Sequence, residues 1–99
     1  MQDLRAELEE ALDVAEWDWL APHARRDSLI VVDAALNLLD VGVAIANDNV
    51  VSVQHWIDED LIHKPSPGQI LEWNANQTKQ FTALIVQPYV LVQELLAND

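Results

Sequence analysis

One run of residues constrains the fold of this chain more than any other: "FTALIVQPYVLVQEL", residues 81–95. It is the longest β-prone stretch, and it carries no basic residue. From 83 to 86 the apolar side chains are consecutive. Neighbouring strand residues point to opposite faces, so both faces of the sheet are expected to be buried there. Pro88 has no N–H to give to a ladder, which places it at an edge, a bulge or a bend. The expectation is a core strand that leaves the middle of the sheet near Pro88. The half after it, with Tyr89, Val90, Leu91 and Val92, is then the part expected to make contacts beyond the monomer.

The rest of the chain reads mainly as helix. In residues 3–20, Leu4, Leu8, Leu12, Ala15 and Trp19 recur at three- and four-residue spacing, which predicts one amphipathic helix. Asp3 is placed to cap its start, with Glu7 in the next turn, and the helix should end near Pro22. Trp17 falls off that stripe, on a flank with Asp13 and Glu16, which makes it a candidate exposed anchor. Trp19, Trp56 and Trp73 fit core-facing or partly buried positions. "SLIVVD", residues 28–33, is a strand signal. Residues 36–46 fit either a buried helix or a strand around "VGVAIA"; length and Ala and Leu content favour helix. Residues 50–62 read as a second helix with Val50, Val53, Ile57 and Leu61 inward. Ser66, Pro67 and Gln69 form a capping-box signature opening a helix from 67 to about 79, with Ile70 and Trp73 on one face.

With 99 residues and no repeat or linker, the chain is expected to be a single domain, 1–99. The order helix–strand–helix–helix–(helix)–strand points to a small α+β domain on a winged-helix-like plan with a small antiparallel sheet. "LIVV" would pair with the C-terminal strand. A different two-layer α+β sandwich is the alternative.

Charge narrows the function classes. Seventeen acids against five bases leave a net charge of −12. Nucleic-acid binding rests on Lys and Arg neutralising phosphates, so no nucleic acid is expected as a partner. The same balance disfavours anionic membrane surfaces, and no run of about 18 apolar residues is present to span one. The N-terminus "MQDLRAELEE" is the opposite of a signal peptide, so a cytoplasmic location is expected. Without cysteine there is no disulfide, thiolate metal site or cysteine nucleophile.

Few residues suggest chemistry. His55 and Glu59 sit four apart on one helix face, with Asp58 beside them. No third ligand stands at a diagnostic spacing, and the plain reading is a solvated face. Gly42 and Gly68 are the only glycines, so there is no phosphate-cradling loop. No catalytic residue, metal or other cofactor is expected. A winged-helix transcription-associated regulator, a metal-binding protein and an enzyme remain as alternatives. The leading expectation is a non-enzymatic, acidic protein–protein interaction module. Its surface would join Glu9, Glu10, Asp13 and Trp17 to the strand at Tyr89, Val90, Leu91 and Val92. A long apolar strand without gatekeeping lysines invites pairing with another protein or with a second copy, giving a homodimer.

Three stretches carry a family likeness: "DLRAELEEALDVAEWDWLAPHARRDSLIVVD", "LNLLDVGVAIANDNVVSVQHWI" and "FTALIVQPYVLVQE". Together they resemble a bacterial, cyanobacterial-type family of uncharacterised proteins, numbered 2288 among the domains of unknown function. Trp17, Arg26, Asp40, Trp56, Pro88, Tyr89 and Gln93 carry the likeness. It implies a small soluble bacterial protein and supplies no activity, cofactor or catalytic residue.

Overall fold

A computed structural model describes residues 4–94. The proposed cap Asp3 and the last residue of the opening run, Leu95, lie outside the described residues. The elements in chain order are α1 (Leu4–Ala11), β1 (Asp13–Glu16), α2 (Trp17–Arg25), β2 (Leu29–Val32), α3 (Leu38–Ala46), α4 (Val50–Asp58), β3 (Ile62–His63), α5 (Pro67–Asn74), β4 (Gln80–Val86) and β5 (Tyr89–Glu94). The strands form one sheet in the order β1-β4-β5-β2-β3. Every pairing is antiparallel except β2 with β5. The domain is therefore α+β with a small, mostly antiparallel sheet, and "LIVV" does pair with the C-terminal strand, Leu29 opposite Val90 and Val31 opposite Val92.

Alternation along the strands sends side chains to two separate cores. Phe81, Ala83, Val90, Val92, Leu29 and Val31 pack with Trp17 and Leu20 of α2 and Trp73 of α5. Leu84, Val86, Leu91 and Val32 pack with Leu38, Leu39 and Val41 of α3, and α1 adds Leu8. Burial on both faces between 83 and 86 holds at Ala83, Leu84 and Val86 and fails at Ile85.

The opening run is a hairpin rather than one strand. Residues 86 and 89 pair across the Gln87–Pro88 turn, whose peptide bond is cis. This overturns the exposure expected after Pro88. β5 lies at the centre of the sheet between β4 and β2, and Val90, Leu91 and Val92 are buried. Over residues 90–92 both edges of β5 are paired, which leaves no room there for a partner strand.

The single N-terminal helix is also corrected. It stops at Ala11, and residues 13–16 become an edge strand on β4 before α2 begins. That break resets the helical phase. In α2 the buried positions are Trp17 and Leu20, with Ala21 and Ala24 packed against the same core. Trp17 is 1% exposed and Trp19 is 52% exposed, the reverse of the expectation. Trp17 is tilted against Trp73 at 5.1 Å and Phe81 at 6.2 Å, and its Nε1–H donates to Asn74 Oδ1 at 2.8 Å.

The open question over 36–46 resolves as helix. Asn37 caps α3 by accepting from Leu39 N–H and Asp40 N–H. The predicted second helix ends early, at Asp58, and gives way to β3. Its apolar face is poorly covered: Val50 and Ile57 are exposed, and only Val53 and Trp56 pack on the core. The capping box at Ser66 and Gln69 forms as read, with Ile70 and Trp73 turned to the core. α5 ends at Asn74, short of the expected 79.

α2, α3 and α4 end alike. Asp27, Asp48 and Asp60 follow their C-caps with φ of 65°, 59° and 59°. The next residue in each case donates back into the helix: Ser28 to His23, Asn49 to Ala44 and Leu61 to Trp56. These are Schellman closures, in which glycine is the usual left-handed residue. Here aspartate, one of the few side chains that tolerate that region, takes its place.

Candidate docking groove at the β1–α2 edge

Where β1 meets α2, a groove of about 550 Å³ opens at the side of the sheet. Its apolar lining is Val14 and Ala15 of β1, Trp19 of α2, and Ala83 and Ile85 of β4; Asp13 and Glu16 add carboxylates. Val14, Trp19 and Ile85 are 50%, 52% and 46% exposed. Large apolar side chains scattered singly need no explanation; these three are gathered in one concavity, which makes it the candidate site.

The local fold explains the exposure. β1 pairs with β4 only from Gln80 to Ala83, so Ile85 projects beyond the end of the edge strand. Trp19 is two residues after Trp17, which places it on the outer flank of α2, against His23 one turn on at 5.1 Å between ring centroids.

The sheet edges themselves are poor templates for strand addition. β1 has four residues and β3 has two. The N–H of Trp17 bonds Lys79 O, so the odd residues of β1 face β4 and Val14 faces outward. That outward N–H is already bonded to its neighbour's carboxylate, Asp13 Oδ1, at 2.8 Å. Short, charged edges of this kind resist pairing with another chain. What remains for a partner is a side-chain groove.

Of the surface expected from the sequence, Glu9, Glu10 and Asp13 are exposed, and Asp13 lines the groove. Tyr89 is 38% exposed at the hairpin turn. Trp17, Val90, Leu91 and Val92 are core residues and drop out. Trp19 and Ile85 were missed. An unbroken helix places Trp19 in a core-facing or partly buried position, and the apolar neighbours of Ile85 suggest burial on both faces.

Other residues singled out have structural roles. Gln93 Nε2 donates to Asp33 O and Leu36 O at 2.8 and 2.7 Å, tying the β2–α3 link to β5. Asp40 is paired with Arg5. His55, Asp58 and Glu59 are all exposed on or just after α4. Among the described residues no three His, Asp or Glu side chains come together as a metal-holding group. No helix among them is long and apolar enough to cross a membrane.

The family model described as "Protein of unknown function (DUF2288)" matches residues 3–94. The chain belongs to the DUF2288 family. Its fold is similar to the NMR solution structure of PA1075 from Pseudomonas aeruginosa, with a TM-score of 0.82 and 29% identity over 98% of this chain and 89% of that one. No curated protein matches it. The groove is thus a feature of a DUF2288 domain whose fold has a solved counterpart.

Proposed function

We propose that this DUF2288 domain is a non-enzymatic docking module. Its β1–α2 groove takes a basic, apolar segment of another protein. The observation that carries the reading is the gathering of half-exposed Val14, Trp19 and Ile85 in one groove that Asp13 and Glu16 also line. Exposed aromatics in a concavity are typical binding anchors, and rim charges select the partner and steer its approach. A second copy is a poorer occupant, because each copy carries −12.

Three of the five bases are already engaged, which leaves only Arg25 and Arg26 to offer a nucleic acid. Arg5, Lys64 and Lys79 are ion-paired with Asp40, Asp27 and Glu94. The exposed side of α4 presents Gln54, His55 and Asp58.

The test is capture from nuclease-treated native lysate with three baits: the native chain, Trp19→Ser, and Asp13→Lys with Glu16→Lys. A protein retained by the native chain and lost with both variants supports the groove. Retention unchanged by either variant overturns it. Recovery of the chain's own copies alone, lost with Trp19→Ser, would assign the groove to self-association and overturn the basic partner.

A further inference from the structure

Beside the docking groove, and sharing Trp19 and Ile85 with it, a second groove of about 400 Å³ runs between α2 and the hairpin turn. Its chemistry is opposite. The β1–α2 groove has Asp13 and Glu16 in its lining, and a third groove, near the α3–α4 turn, has Asp48. This one has no carboxylate; it has Arg26 and His23, with the Gln87 amide beside them. In a chain with 17 acids and five bases, a concavity lined by one of those bases, a histidine and no acid is a marked local reversal.

Arg26 is also chemically free. Arg5, Lys64 and Lys79 each have a carboxylate within 4 Å, whereas Arg26 has no ion pair among the described residues. It caps the C-terminus of α2, at the i+7 position from Trp19 and i+3 from His23, which keeps the three near one flank of the helix. The Trp19 ring is held against His23 at 5.1 Å and 51°. Tyr89, from the hairpin, also lines the groove. The groove therefore has two partly exposed aromatic rings, a free guanidinium able to grip an oxyanion in bidentate fashion, and an amide donor.

We infer that this groove binds a small ligand made of a planar aromatic ring bearing an anionic group. The ring lies among Trp19, Tyr89 and Ile85, and the anion meets Arg26 and His23. A carboxylate and a phosphate share that chemistry. The two grooves share Trp19 and Ile85, but this inference turns on Arg26, which the docking groove lacks, so Arg26→Gln tests it without touching Asp13 or Glu16.

The test is titration of the isotope-labelled chain followed by amide and indole NMR shifts. The probes are 1-naphthoate, phenyl phosphate and, as the cationic control, 1-naphthylmethylamine. Salt is held near 150 mM, where the Debye length of about 8 Å screens distant acids more than a contact pair. The expected result is saturable shifts at the Trp19 indole N–H, Arg26 and Tyr89 with at least one anionic probe and not with the amine. Binding to naphthoate alone assigns a carboxylate, and to phenyl phosphate alone a phosphate. Arg26→Gln should weaken binding by about tenfold or more, as expected for loss of a charge-assisted contact. Arg25→Gln, at the neighbouring position but outside the groove, should leave it unchanged. Equal shifts with the amine, native-like binding by Arg26→Gln, or no saturable shift up to about 10 mM, a very weak limit for any specific site, would each overturn the inference.

Discussion

At the residue scale, the two tryptophans of "EWDWL" divide structure from surface. Trp17 is fully buried among Trp73 and Phe81 and has its indole N–H satisfied. Truncating a buried tryptophan to alanine costs about 3–5 kcal/mol, which is much of a small domain's total stability. Trp17→Ala should therefore be largely unfolded, with Trp17→Phe destabilised but folded. Trp19→Ala should stay within about 0.5 kcal/mol of the native chain, as surface changes usually do. Urea melts of the three variants check this, and equal losses at both positions would contradict it. Gln93 supports a second prediction. Its amide satisfies two backbone carbonyls, so Gln93→Ala should cost roughly 1–2 kcal/mol. Gln93→Glu should cost more in the same melts, because its carboxylate sets acceptor against acceptor.

Among elements, helix ends and a helix–sheet contact decide stability. Asp48 and Asp60 hold left-handed backbone where glycine carries no Cβ penalty, and their charge sits at the unfavourable end of a helix. Asp48→Gly and Asp60→Gly should each raise stability by about 0.5–1 kcal/mol, the relief of strain exceeding the added freedom of the unfolded chain. Thermal melts showing a loss at both sites would mean that their side chains contribute contacts outweighing the strain. Gly42 works in the other direction. It lets α3 lie close on β4, and a Cβ there would collide with Leu84 Cδ2. Leu84 is fully buried, so its side chain has little room to yield. Gly42→Ala gains about 1 kcal/mol in helix propensity and loses about 1–3 to overpacking. The expected outcome is a net loss of roughly 1 kcal/mol in a denaturant melt with unchanged slope.

For the whole molecule, charge is the dominant global term. The ion pairs of Arg5, Lys64 and Lys79 are at least partly exposed, and such pairs contribute only about 0–1 kcal/mol each. Repulsion within a net charge of −12 is left largely uncompensated. Raising salt from about 10 to about 200 mM, which shortens the Debye length severalfold, should therefore raise the melting temperature by a few degrees. A fall would show that the attractive pairs outweigh the repulsion.

The sequence alone determined what depends on local pattern: the α+β class, the strands at "LIVV" and "FTALIV", the capping box at Ser66 and the preference for helix within 36–46. Backbone propensity and capping groups act over a few residues, so these features are visible in the residues themselves. The tertiary structure decided what depends on distant partners. Residues 13–16 are a strand only because β4 lies beside them, and that break, unmarked by glycine or proline, exchanged the roles of Trp17 and Trp19. β5 is central because β2 pairs with it from sixty residues away in the chain, which buried Val90, Leu91 and Val92. Both grooves join residues from opposite ends of the chain, so neither has a contiguous signature. Side-chain exposure reports the sum of all packing neighbours, and for Trp19 and Ile85 the deciding fact is which neighbours the fold leaves out.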